Sequence, residues 1–231
     1  MVQTALIIPL YNHASRISGV IRAAQELGLP IFVVDDGSTD KPEQNLVHFP
    51  EITFLRHAEN KGKGAALLTG FSAAKQAGYR WALTIDADGQ HLPQDARILL
   101  ETAQASAVRP LVVGARLGMK GEHVPWTSRA GRGFSNFWVW ICGGPFLHDS
   151  QSGFRLYPLP ETIQLQVQAR RYQYEVEVLV LAKRNNIPVL EAPIQVVYQP
   201  KGERISHFKP WQDFLRNSAT FSRLFFSRFL S

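Results

Sequence analysis

The sequence holds one cysteine, Cys142, among its 231 residues. A lone thiol excludes an internal disulfide and any multi-cysteine metal site, and it sets the expectation of a reducing compartment. Long apolar runs are missing as well: about 18 uncharged apolar residues in a row are needed to cross a bilayer, and no segment reads that way. No charged n-region leads into an apolar core at the start, so no secretory signal is expected. The seven histidines show no metal-binding spacing on a helix. No internal repeat or low-complexity linker occurs. What is present, 45% hydrophobic and 19% charged residues, suffices for a packed core and excludes disordered, collagenous and coiled-coil classes.

Apolar runs of strand length alternate with segments of helical period. Thr4–Leu10, Ile31–Asp35, Ile52–Arg56, Trp81–Ile85 and Leu111–Gly114 read as strands. Between them, Ala14–Leu27, Gly62–Ala77 and Pro93–Ser106 read as helices, the last opened by proline. This alternation predicts an α/β fold with a mostly parallel sheet and helices on both faces. In the second half, Ser152–Tyr157 and Ile187–Tyr198 (broken at Pro193) read as strands, and Tyr174–Arg184 and Phe214–Leu230 as helices. Arg132–Ile141 is aromatic-rich without an assigned element.

Ligands of such sheets bind beyond the carboxyl ends of the strands, so the strand tips are the place to look. The fourth strand ends in Asp86-Ala87-Asp88, two carboxylates able to reach one hard cation that also touches a diphosphate. A solvated Asp/Gly turn is the alternative. Asp35-Asp36-Gly37-Ser38 follows the second strand, where an acid can accept hydrogen bonds from a ribose or base; a simple Asp-Gly turn is equally compatible. Asn60-Lys61-Gly62-Lys63-Gly64 lacks P-loop spacing, yet a lysine-bearing glycine turn at a helix start suits an anion. The alternative is a basic capping turn. Cys142, between Ile141 and Gly143, reads as a packed small residue.

As an ordered set, IIPLYN, VVDDGSTD, NKGKGAA, DADGQH and DSQSGFR resemble the inverting family 2 glycosyltransferases of GT-A fold, over roughly residues 4–200. The likeness is to the dolichol-phosphate mannosyltransferase or polyprenyl-phosphate glycosyltransferase branch. It implies a three-layer sandwich on a mostly parallel sheet. Transfer from a UDP- or GDP-linked hexose to a lipid or polyprenyl-phosphate acceptor is implied with it. Pro9, Tyr11, Val34 and Asp36 would line the nucleoside pocket. Asp86 and Asp88, joined by Gln90, would hold Mg²⁺ or Mn²⁺ on the donor, flanked by Ala87 and Lys63. Arg116 and Arg129 match basic residues near the phosphates, and Asp149 stands where many relatives place the acceptor-side acid, a candidate general base for a hydroxyl acceptor. Arg155 would bind phosphate or pair with Asp149. Two positions depart from the branch: His13 where glutamate often stands, and Ser206-His207 for its Ser-Lys pair. These leave two alternatives: transfer to a soluble or glycolipid hydroxyl, or a non-catalytic nucleotide-sugar-binding module.

Charge is uneven. Residues 199–231 carry six basic against two acidic side chains, +4 of the net +6. The division expected is a transferase domain at 1–205 and a basic, aromatic, amphipathic C-terminal helix within 206–231. That helix is about 25 Å long, too short for a bilayer core, and either lies on a membrane surface or packs on the domain. Peripheral placement at the inner, cytoplasmic face is the expectation; no nucleic-acid module accompanies the charge.

Overall fold

The computed structural model describes residues 3–116, 126–195 and 210–228, with side chains at 3–116, 131–195 and 217–228. The chain runs β1 (Thr4–Leu10), α1 (Ala14–Gln25), β2 (Ile31–Asp35), α2 (Glu43–Leu46), β3 (Thr53–Arg56), α3 (Lys63–Gln76) and β4 (Trp81–Thr84). There follow a 3₁₀ turn (Pro93–Asp95), α4 (Ala96–Gln104), β5 (Leu111–Arg116), α5 (Trp126–Ile141), β6 (Arg155–Pro158), α6 (Glu161–Gln164), α7 (Tyr174–Arg184), β7 (Val189–Ile194) and α8 (Pro210–Ser227).

Seven strands form one sheet in the order β3-β2-β1-β4-β6-β5-β7. All pairings are parallel except those of β6, which lies antiparallel between β4 and β5. Helices cover both faces, with two buried clusters, one under α3, α5 and α7 and one under α1 and α4. On the first side, α3 approaches β1 so closely that a Cβ on Gly70 would lie 2.5 Å from Ile7 Cγ2. Only glycine permits that contact, which lets α3 lie close against β1. Strand order reverses between β1 and β4, so their carboxyl ends open a crevice.

Some boundaries differ from those read off the sequence. The Pro93–Ser106 segment divides into a 3₁₀ turn and α4. β6 starts at Arg155, because residues 149–153 are held by side-chain hydrogen bonds to α5 and β4. Pro193 lies within β7 without breaking it, since among the described residues β7 pairs with β5 alone and its other edge needs no ladder donor. Residues 196–198 of that expected strand lie outside the described residues. The aromatic-rich segment is part of helix α5, and α2 and α6, of four residues each, were too short to register as a period.

The C-terminal helix packs on the domain. Phe221 is buried, stacked on Trp138 (centroids 6.0 Å, interplanar 25°) and edge-on to Phe134 of α5. Leu224 is buried beside it, Arg223 Nη2 pairs with Glu177 Oε2 of α7 at 2.7 Å, and Arg184 Nη1 donates to Ser227 Oγ at 2.9 Å. Outward, α5 leaves Phe134, Phe137 and Trp140 exposed, and α8 leaves Phe226 exposed at 65%. Among the described residues no helix is long and apolar enough to cross a membrane.

Candidate active site

The tips of β1 and β2 are stapled together. Ser38 Oγ accepts from Asn12 N (2.9 Å), Asn12 Oδ1 accepts from Thr39 N (2.8 Å), and Asp35 Oδ1 accepts from Ser38 N (2.9 Å). Asp36 is buried, with Oδ1 taking the N–H of Lys61 (2.9 Å) and Oδ2 that of Gly62 (2.7 Å), and His57 Nδ1 2.7 Å from Oδ1. The acid therefore holds the loop that launches α3. Pro9 and Tyr11 are half-buried at the crevice. Val34, level with Pro9 in the sheet, is fully buried in the core beneath α3.

At the β4 tip, Asp86 Oδ1 lies 2.6 Å from Lys63 Nζ, and the same ammonium lies 2.6 Å from Glu175 Oε1 on α7. Lys63 was expected to face an anion of the donor; it lies instead between two carboxylates. Burial alone would raise the Asp86 carboxyl, but Lys63 holds it below its ordinary value. Burial, with repulsion from Asp86, lifts the Asp88 carboxyl above its ordinary value. Asp88 Oδ1 accepts from the backbone N–H of Gln90 (3.0 Å), so Gln90 orients the second carboxylate through its main chain. Ala87 is buried in the core, which sends its two neighbours outward. His91 is buried, its ring 5.4 Å from Phe154, and Nδ1 has no hydrogen-bond partner. Desolvation lowers its pKa below the ordinary imidazole value, against the pull of Asp86 and Asp88. Gly153 closes the site from below: a Cβ there would lie 2.4 Å from Asp86 Oδ2 and 2.7 Å from Lys63 Nζ.

These residues fit a divalent cation. An ammonium already stands at Asp86, and a second carboxylate, Asp88, is two residues away. Mg²⁺ or Mn²⁺ is commonly held by one or two carboxylates and completes its sphere with phosphate oxygens and water. Among the described residues no three His, Cys, Asp or Glu side chains group to cage a metal, so a cation here would draw on the donor's phosphates.

The second cluster lies at the β5 tip. Arg116 Nε and Nη2 donate to Asp149 Oδ2 and Oδ1 at 2.5 and 2.8 Å, a bidentate pair with Asp149 only 1% exposed. Burial would raise the Asp149 carboxyl, but the Arg116 hydrogen bonds and charge bring it below its ordinary value. The Asp149 loop is held from two sides. Its N–H donates to Glu191 Oε1 of β7 (3.0 Å), while Asn136 of α5 brackets it, accepting from Ser150 N (2.9 Å) and donating to His148 O (2.8 Å).

Arg155 corrects the sequence reading. It is fully buried and donates to the carbonyls of Ser152 (2.6 Å), Ser150 (2.8 Å) and Glu175 (2.7 Å). It neither faces a ligand nor pairs with Asp149; Arg116 takes that place. The Arg129 side chain and the Ser206-His207 pair lie outside the described residues. Glu175 and Glu191 escaped the sequence reading. Glu175 had one legible signal: with Glu177 it is an acid inside the apolar run Tyr174–Ala182.

Against known proteins, the profile of glycosyl transferase family 2 matches residues 5–162 and so takes in β1, the Asp86–Asp88 tip and the Asp149 loop. The chain belongs to glycosyl transferase family 2. Relatives of this family 2 glycosyltransferase include the UDP-N-acetylglucosamine–dolichyl-phosphate N-acetylglucosaminyltransferase of Methanococcus voltae. That protein is 32% identical, over 84% of this chain and 85% of the relative. The polyprenol monophosphomannose synthase of Mycolicibacterium smegmatis is 30% identical, over 83% of this chain and 76% of the relative. In fold, the family 2 chain is similar to mannosyl-3-phosphoglycerate synthase from Rubrobacter xylanophilus, with TM-score 0.64 and 18% identity, over 97% of this chain and 73% of that one. The GT-A-like α/β architecture and the glycosyltransferase class thus agree with the sequence reading.

Proposed function

We propose that this glycosyltransferase moves a hexose from a nucleoside-diphosphate sugar to a polyprenyl phosphate at a membrane surface. The observation that carries the acceptor is the Arg116–Asp149 pair. Transfer to a hydroxyl needs a base to remove its proton. Asp149, the acid on the acceptor side, is held in a bidentate bridge and made less basic by it. A phosphate monoester arrives ionised and needs no base, and Arg116 is suited to it as a planar donor. Relatives named for dolichyl-phosphate and polyprenol acceptors support the same reading.

On the donor side, Asp86 and Asp88 would hold Mg²⁺ or Mn²⁺, which when bound stabilises negative charge on the departing diphosphate. Pro9 and Tyr11 border the nucleoside end of the crevice. The chain's own work is to position both substrates and to keep cationic groups where charge develops. The test is incorporation of labelled sugar from UDP-N-acetylglucosamine, UDP-glucose or GDP-mannose into a polyprenyl phosphate, beside a polyprenol and a glycolipid. Product on the phosphate alone is expected. Product on a hydroxyl acceptor alone overturns the reading.

Membrane contact falls to α5. Phe221 and Leu224 of α8 are buried against the domain, whereas Phe137 and Trp140 of α5 stay exposed at 53% and 52%. The same helix brackets the Asp149 loop through Asn136. A surface touching α5 would therefore lie about one helix width, ~10 Å, from the acceptor cluster. Aromatic side chains on a basic protein suit the headgroup layer. Replacing Phe137 and Trp140 with serine is expected to weaken binding to anionic phosphatidylglycerol vesicles, read by sedimentation, by about a hundredfold or more, since roughly 2 kcal/mol is lost for each of the two large side chains withdrawn from the interface. Unchanged sedimentation of the folded double variant would remove α5 from contact with the bilayer.

A further inference from the structure

Lys63 opens α3 in a glycine-rich turn of the kind that receives anions, and its ammonium is taken up by two of the chain's own carboxylates. It is shared between Asp86 Oδ1 and Glu175 Oε1, both at 2.6 Å, with the three side chains only 16%, 26% and 9% exposed. The arrangement is built, not incidental. Asp36 fixes the turn before α3 through two backbone N–H groups. Arg155 fixes the backbone carbonyl of Glu175. Gly153, with no side chain, leaves the space in which Asp86 and Lys63 meet.

A divalent cation on Asp86 would sit about 2.1 Å from the carboxylate oxygen. An ammonium on that oxygen and a divalent ion would then stand within a few ångströms of each other with little water between them, and like charges so placed repel strongly. The oxygen accommodates one cation or the other. Glu175 has no part in the chemistry proposed above, but it lies at the far side of the ammonium, where it can hold Lys63 alone.

We infer that Lys63 is a tethered counter-cation, occupying the Asp86 position until a divalent ion arrives with the donor diphosphate, and that Glu175 is the acid to which its ammonium withdraws. The inference rests on the metal reading of Asp86 and Asp88. It explains why a half-buried and a buried acid face one lysine, and it keeps the site from retaining a metal without substrate. With Lys63 on Asp86, the group of Asp86, Asp88, Glu175 and Lys63 carries −2, the charge that one divalent ion cancels.

The experiment is titration of Mn²⁺ into the full chain by calorimetry, with and without UDP. Lys63→Met is expected to bind Mn²⁺ without nucleotide about tenfold or more tighter than the wild type, because the competing charge is gone. Lys63→Arg keeps that charge and is expected to bind no tighter than the wild type. In parallel, the side-chain nitrogen resonance of Lys63 should move on saturation with Mg²⁺ and UDP; a resonance that stays in place while the metal binds overturns the inference. Lys63→Met, folded by circular dichroism, with Mn²⁺ affinity within about twofold of the wild type overturns the inference alone. No Mn²⁺ binding by any variant, with or without UDP, overturns the metal reading beneath it.

Discussion

Asp86→Asn is expected to lower sugar transfer by about a thousandfold or more, the scale on which loss of a principal charge-stabilising group acts. The side chain keeps its shape but loses the charge that both Lys63 and a divalent cation require. Lys63 keeps Glu175 as its partner at 2.6 Å, so the fold has a remaining anchor at that position. A melting temperature close to that of the wild type, with donor binding lost by calorimetry, would place the effect in the site and not in folding. Asp88→Asn is expected to follow the same course less severely, because Asp88 is the carboxylate whose charged form burial already disfavours. Transfer within about tenfold of the wild type in a folded Asp86→Asn protein would remove this acid from the donor site.

Asp149→Asn is the second large effect. If Asp149 orients Arg116 for an ionised acceptor, the variant is expected to raise KM for polyprenyl phosphate by about 10- to 100-fold while leaving donor affinity in place. A general base would give another pattern: kcat falling about a thousandfold at constant KM, with the acid limb of the pH profile lost. The direction of the Asp149 shift makes the distinction measurable. Its folded pKa lies below the ordinary carboxylate value, so the stability from the Arg116 pair is fully present above that ordinary value. It is lost as pH falls through the lower, folded value. Activity is therefore expected to stay level in acid down to about pH 5 where Asp149 is concerned. The variant should also lose about 3 kcal/mol of stability, since Arg116 loses a partner that is 1% exposed. Arg116→Lys, which keeps charge but not the fork, should recover part of that stability and little of the acceptor KM.

The first half of the fold was legible because its signals are contiguous. An apolar run such as Thr4–Leu10 has the length of a buried strand and is too short for a typical helix, and the polar residues after it mark the tip. The Asp86-Ala87-Asp88 pair was legible for the same reason. The second half was less so. β6 is antiparallel and fully buried on both faces, and the residues before it are held by Thr84, Ser135 and Asn136, none of which is nearby in sequence. Arg155 looked like a ligand residue because a buried arginine bonded mainly to backbone carbonyls has no sequence signature. The helical period of α8 was visible in its spacing, but a stripe of phenylalanines has the same appearance whether it meets a bilayer or a neighbouring helix.

By itself the sequence determined the alternation of strands and helices, the polar strand tips and, through the motifs set on them, the family. Each depends on residues close together in the chain, where periodicity and turn chemistry act. Only the tertiary structure decided which charges meet. Lys63 reaches Glu175 across 112 positions and Arg116 reaches Asp149 across 33. With 25 basic and 19 acidic residues available, spacing cannot choose among the pairs. The sheet order chooses: it brings the β4 and β5 tips, the start of α3 and the first turn of α7 to one crevice, and in that partly dry space a charge is stable only beside its opposite.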